Sequence, residues 1–293
     1  MRGARAGIGR LLLGVFCAVL VLGAWTWPVE EFTIDLGFGM PTDGGLSPGL
    51  ELVAQTGPVG AAAEGELVFA FDAENRRRTI PHGLGSFLVL EHEGGFRSLY
   101  AHLDRESGET SVEFAEAEEL GVVGRTGLSG GNTLGFRVID SERNAYVNPM
   151  ILLPELEDGT APRIEDVRLS RGSANVSVGR GASVPQGPAR LSALVYDPGA
   201  DGPYRGDTAP YAVTVFANGR ESFSLAFETI SSSGGQIRVS GQYTRGDLFD
   251  DEGRLRLGSV EIAPGDNLIE IIAEDHAGNE RVASFQITGE SEQ

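Results

Sequence analysis

Apolar and polar residues alternate along this chain in short runs, a period of two that marks strands burying one face. In the first half the runs cover residues 49–54, 65–71, 86–91, 96–102, 121–123 and 135–139, with a short strand at 32–39 ahead of them. In the second half they cover 164–170, 174–178, 189–196, 212–217, 221–228, 236–241, 257–262, 268–273 and 284–288. Turn residues separate them, and the 42 glycines fit many strands joined by tight turns. No apolar pattern near a period of 3.6 persists beyond two turns, apart from a short helical stretch at 148–153. The turn-rich Asp158-Gly159-Thr160-Ala161-Pro162 then divides the chain. The expected organisation is an all-β domain at 32–156, a linker at 157–163 and a second all-β domain at 164–293.

The beginning departs from this pattern. Arg2, Arg5 and Arg10 precede an apolar run from Leu11 to Trp27, which reads as an export signal at 1–27. The run is slightly short for a membrane span of about 20 residues, so cleavage near Gly23-Ala24 and retention as an inner-membrane anchor stand as alternatives. Both place the remainder outside the cytoplasm, in the periplasm or its equivalent. The formal charge of −19 disfavours nucleic acid, because phosphate must be met by basic side chains. The single cysteine, Cys17, lies in the apolar run, which leaves the rest without a disulfide or a thiolate metal site.

Five stretches in order carry a family resemblance: Pro58-Val59-Gly60-Ala61-Ala62-Ala63-Glu64-Gly65-Glu66-Leu67-Val68, residues 83–92, Tyr100-Ala101-His102-Leu103, Leu120-Gly121-Val122-Val123-Gly124-Arg125-Thr126-Gly127 and Asn148-Pro149. Together they resemble the LytM/lysostaphin-type zinc peptidases, which cut peptide cross-bridges in bacterial cell walls. The resemblance implies an antiparallel β fold and a zinc held by a histidine, an aspartate four residues later, and the second histidine of a G-x-H-L-H-F strand. Aligned on Gly49, those positions are Ser47, Glu51 and, in Gly131-Asn132-Thr133-Leu134-Gly135-Phe136, Gly135, with Thr133 at the first histidine. His102 alone stands at a retained catalytic position, one that steadies zinc-bound water and does not ligate metal. A catalytic zinc needs three protein ligands and an open site for water. The expectation is therefore a pseudoenzyme with no metal, zinc having been lost, and a groove lined by Tyr100, Asn132 and Thr133 beside Ser47, Glu51, His102 and Gly135.

In the second half, Gly265-Asp266-Asn267-Leu268-Ile269-Glu270-Ile271-Ile272-Ala273-Glu274-Asp275-His276-Ala277-Gly278-Asn279 resembles the closing hairpin of bacterial Ig-like domains. Strand spacing there also suits an immunoglobulin-like β-sandwich. The resulting functional expectation is an exported, catalytically inactive LytM-type protein. It binds peptidoglycan or a wall hydrolase such as an amidase and regulates envelope remodelling. One alternative is an active zinc endopeptidase with a ligand set around Glu51, His92 and His102, and a relocated metal site of His82, His92 and His102 is a separate arrangement weighed against a structural role for these histidines. Another is an envelope spacer. Arg76-Arg77-Arg78 on a predicted hairpin tip is a candidate contact for an anionic polymer.

Overall fold

The computed structural model describes residues 25–43, 45–73, 83–104, 111–179, 181–199 and 204–291. The stretch read as an export signal lies outside the described residues except for 25–27, as do Arg76–Arg78 and His82. Among the described residues no helix is long and apolar enough to cross a membrane.

Nearly every regular element is a strand, as the alternation predicts. The first half contains β1 (Phe32–Leu36), β2 (Pro41–Thr42), β3 (Gly45–Leu46), β4 (Leu50–Ala54), β5 (Pro58–Gly60), β6 (Gly65–Phe71), β7 (Ser86–Glu91), β8 (Phe96–Asp104), β9 (Glu113–Phe114), β10 (Glu119–Val123), β11 (Thr133–Asp140) and β12 (Ala145–Val147). The middle of this half is β11. One edge pairs with β8, and the other takes β4 along Thr133–Phe136 and β12 along Val138–Asp140. Beyond β8 lie β7, β6 and β9. Alternation sends Leu50, Leu52, Leu134, Phe136, Val138, Tyr100, Leu88 and Leu90 into one core. The opposite face of the same strands carries Glu51, Leu99, Ala101 and Gly135, with Phe87, Leu99 and Ala101 in a smaller buried cluster of their own.

The second half contains β13 (Arg163–Arg171), β14 (Ala174–Ser177), β15 (Ala182–Pro185), β16 (Gly187–Tyr196), β17 (Ala212–Ala217), β18 (Arg220–Ala226), β19 (Thr229–Ser233), β20 (Gln236–Val239), α1 (Arg245–Leu248), β21 (Leu255–Ile262), β22 (Gly265–Glu274) and β23 (Glu280–Glu290). A sheet in the order β14-β13-β16-β21 and another in the order β15-β23-β22-β17-β18 share a core that includes Leu169, Leu191, Val213, Val215, Leu257 and Ile271. β15 and β23 run parallel, and the other pairs are antiparallel.

Three features depart from the sequence expectation. The helical stretch at 148–153 is one 3-10 turn, Pro149–Ile151, capped by the Asn148 side chain, which accepts the Met150 amide. The short helix α1 was not anticipated, although its capping box of Thr244 and Asp247 is a readable signal. Most consequentially, β19 leaves the second half's own sheets and pairs with β12: Ala145 with Ser231, Tyr146 with Ile230 and Val147 with Thr229. The β19–β20 hairpin thereby covers a strand edge that would otherwise present unpaired N–H and C=O groups. Side chains also cross over. Phe38 and Leu46 sit in the second core, and Tyr204 sits in the first.

Candidate functional site

On that second face of the first sheet, Glu51, Gly135 and Ala101 form one row across β4, β11 and β8, with Glu51 half-buried and Ala101 fully enclosed. Thr133 and Arg137 share that face by alternation. His102 follows Ala101 and would point the other way in a regular strand. Its backbone is instead left-handed, with φ of 66°, and its amide bonds the Leu84 carbonyl outside the ladder. For a residue with a Cβ this conformation costs about 1–2 kcal/mol, and it brings the imidazole to the row. His102 Nε2 lies 3.6 Å from Glu51 Oε2. A Cβ at Gly135 would stand 3.2 Å from His102 Cδ2 and 3.3 Å from Glu51 Oε1. Glu51, His102 and Gly135 therefore converge on one spot.

The imidazole is held from behind. Its Nδ1 is 2.8 Å from the Thr126 carbonyl oxygen, so Nδ1 carries the proton and Nε2 faces Glu51. Thr126 is itself fixed: its hydroxyl donates to Leu103 O and accepts the Ser86 amide. This packing depends on glycine. A Cβ at Gly124 would collide with the Asp104 amide nitrogen and lie 2.6 Å from His102 O. Burial raises the pKa of Glu51, opposed by the neighbouring His102 and Arg137 charges. The G-R-T-G motif at 124–127 was visible in the sequence, but nothing there assigned Thr126 the task of fixing the tautomer of His102.

Other expected groove residues lie elsewhere. Tyr100 does not line the groove. Its neighbour relation in β8 sends it to the buried core, where it is fully enclosed and packs on Phe136. Its hydroxyl accepts the Ala62 amide at 2.7 Å and meets Ser98 Oγ at 2.9 Å; burial pushes its pKa up to about 12. The Ser98 hydroxyl continues to His92 Nε2, and His92 Nδ1 donates to Glu64 O. His92 lies at the β7–β8 turn, where it also meets the Trp25 ring, while His102 lies near the opposite end of that hairpin. This overturns the ligand set of Glu51, His92 and His102. Asn132 donates its side-chain N–H to Thr56 Oγ1 at 3.1 Å. Ser47 is buried with its hydroxyl committed to the Gly49 carbonyl oxygen. Thr133 is buried at the end of the row, bridged to Gly124.

The buried hydroxyl chain gives a direct test. Replacing Tyr100 by Phe keeps the ring but orphans the buried Ala62 amide, which costs about 1–3 kcal/mol. Denaturant unfolding should show that loss.

An apolar wall beside the row was missed. Phe87 stacks against Phe69 and Phe71, with ring centroids 5.5 and 5.6 Å away; the buried Leu99 and Ala101 continue the cluster towards Gly135, and Phe69 is left exposed. The readable signal was that residues 67–71 and 87–90 are apolar in both registers, so both faces of those strands carry apolar side chains.

Residues 46–149 match the model of peptidase family M23, and a second family model matches residues 161–290. The chain is 27% identical over 135 residues to the "Murein hydrolase activator NlpD" of Salmonella dublin, covering 46% of this chain and 32% of that protein. It is 28% identical over 137 residues to the "Cell division protein DipM" of Caulobacter vibrioides, covering 45% of this chain and 21% of that one. The match thus spans a third or less of these curated relatives. Among solved structures, the catalytic domain of the prophage-encoded M23 protein EnpA from Enterococcus faecalis is similar at 20% identity and a TM-score of 0.33, covering 40% of this chain and 88% of that one. The ordered motifs, the antiparallel sheet and the family match together make residues 46–149 a peptidase family M23 domain of the LytM type.

Proposed function

We propose that this chain is an exported, non-catalytic regulator of cell-wall hydrolysis. In this reading its M23 domain binds peptidoglycan or a wall amidase in the former substrate groove, its second half is an Ig-like β-sandwich, and its apolar leader is the export signal or membrane anchor. One observation carries the reading. Where Glu51 and His102 converge, the third position of the row is Gly135, which has no side chain to offer. Ser47 would be the remaining donor, and its hydroxyl already bonds Gly49 O. Zinc in a hydrolytic site takes three protein ligands. One carboxylate, one imidazole and a committed hydroxyl do not fit that requirement. The names of the relatives, a murein hydrolase activator and a cell division protein, support a regulatory role in the wall.

What remains suits recognition. A preset carboxylate–imidazole pair next to the Phe69–Phe87 wall offers polar anchoring and apolar area, the combination found at binding sites. The test uses the purified chain with dyed sacculi, with and without a wall amidase. Alone it should release no dye, and with the amidase it should raise release several-fold. Phe69 is 48% exposed, so Phe69→Asp should spare the fold and abolish the stimulation. Release by the chain alone, together with stoichiometric zinc in the protein, overturns the proposal, as does an amidase rate left unchanged.

A further inference from the structure

Away from the groove, at the junction of the two halves, three carboxylates meet. Asp158 comes from the connecting segment, Asp197 from the residue after β16, and Asp275 from the residue after β22. One carboxylate oxygen from each lies within 4.8 Å of the other two. Asp197 and Asp275 are only 3% and 2% exposed. Among the described residues, no arginine forms an ion pair with any of the three.

Crowding buried carboxylates without a cation is costly, because each loses its hydration and repels the others. Two of them are partly compensated. Asp275 accepts the Asn279 amide and side-chain N–H at 2.8 and 2.9 Å, and Asp158 accepts the Thr160 amide at 2.8 Å. Asp197 is not. Its Oδ1 is buried and has no hydrogen-bond partner. A buried carboxylate with an orphaned oxygen, crowded by two others, is what a cation site looks like without its ion.

We infer that Asp158, Asp197 and Asp275 form a calcium site that braces the junction between the two halves. The donors are all oxygen, which selects a hard cation over zinc or copper. Calcium accepts carboxylates and carbonyls in irregular arrays, whereas magnesium keeps several waters in a strict octahedron, for which the buried Asp197 and Asp275 leave little room. The ring of His276, next to Asp275, meets the Asn148 side-chain amide through Nε2 at 3.1 Å. The site is tied to both halves. A bridge between Asp197 and Thr208 closes the loop that follows Asp197, and within that loop Tyr204 is buried in the first core while the Arg205 amide bonds Ile34 O at 2.8 Å. An ion here fixes the connecting segment, the loop base and the β22–β23 turn to one another.

Calcium titrated calorimetrically into the chelator-treated full chain should bind one ion. At hundredfold excess over the dissociation constant it should raise the melting temperature by about 5 °C or more. Magnesium at the same concentration should give a smaller shift. Asp197→Asn is isosteric and removes the crowded charge. In chelator it should melt at or above wild type, and it should lose both the calcium heat and the calcium shift. The melt in chelator shows that the variant folds, so its loss of binding is interpretable. Absence of heat and shift in wild type at millimolar calcium overturns the site. An undiminished response in Asp197→Asn, or an equal response to magnesium, overturns it as well.

Discussion

A chain ended at residue 160 is expected to be insoluble, although it keeps the whole M23 match. Such a truncation removes β19 from the edge of β12 and takes Tyr204 out of the first core. It also uncovers Phe38 and Leu46, which are 5% exposed because the second half encloses them. Exposing two large apolar side chains costs about 1.5–3 kcal/mol each. Losing Tyr204 and the pairing of Ala145–Val147 adds to this, and the total approaches the 5–15 kcal/mol that separates folded from unfolded domains. The bared β12 edge also offers a template for association between copies. Size-exclusion chromatography of the 25–160 fragment beside the full chain should show aggregate in place of a monomer peak. A monomer melting within a few degrees of the full chain would mean that the halves are independent.

Asn148→Ala should give one of the largest losses among conservative single changes. Asn148 is fully buried and sits where the halves join. Its side-chain N–H groups donate to Phe227 O at 2.8 Å and to His276 Nε2 at 3.1 Å, its Oδ1 accepts the Met150 amide, and its own amide donates to Glu228 O. Alanine orphans three partners, each costing about 1–3 kcal/mol in a buried setting, so a loss of about 3–5 kcal/mol is expected in denaturant unfolding. Asn148→Asp keeps the acceptor for Met150 but buries a carboxylate against the Phe227 carbonyl oxygen, and it should lose at least as much as alanine. A loss under about 1 kcal/mol for alanine would show that the joint is held elsewhere.

Much of the architecture was legible because alternation is a local signal. The strands at 50–54, 65–71, 86–91 and 96–104 lie within a few residues of the apolar runs that predict them. Pairing between distant strands is not local, so the union of β12 with β19 was invisible: the three residues of β12 and the Thr-Ile-Ser-Ser-Ser of β19 carry no pattern that names a partner. The same limit shaped the site. The motif spacing brought out Glu51, His102 and Gly135 together, and they do converge. Tyr100 was misplaced because facing is set by strand register, which a one-residue irregularity such as the turn of backbone at His102 reverses. His92 was paired with His102 for lying on a neighbouring strand, but an antiparallel hairpin puts the residue at its turn far from the residue near its open end.

The left-handed backbone at His102 has a consequence for thermodynamics. The imidazole is anchored by Thr126 and walled by glycines that leave the backbone little room to relax, so its direction is settled before any visitor arrives. Whatever docks against it meets a receptor with few torsions left to freeze, and the usual entropic penalty of ordering a flexible loop falls away. Calorimetry of such an association should read as dewetting of the phenylalanine surface, a negative heat-capacity change without the large unfavourable entropy of coupled folding.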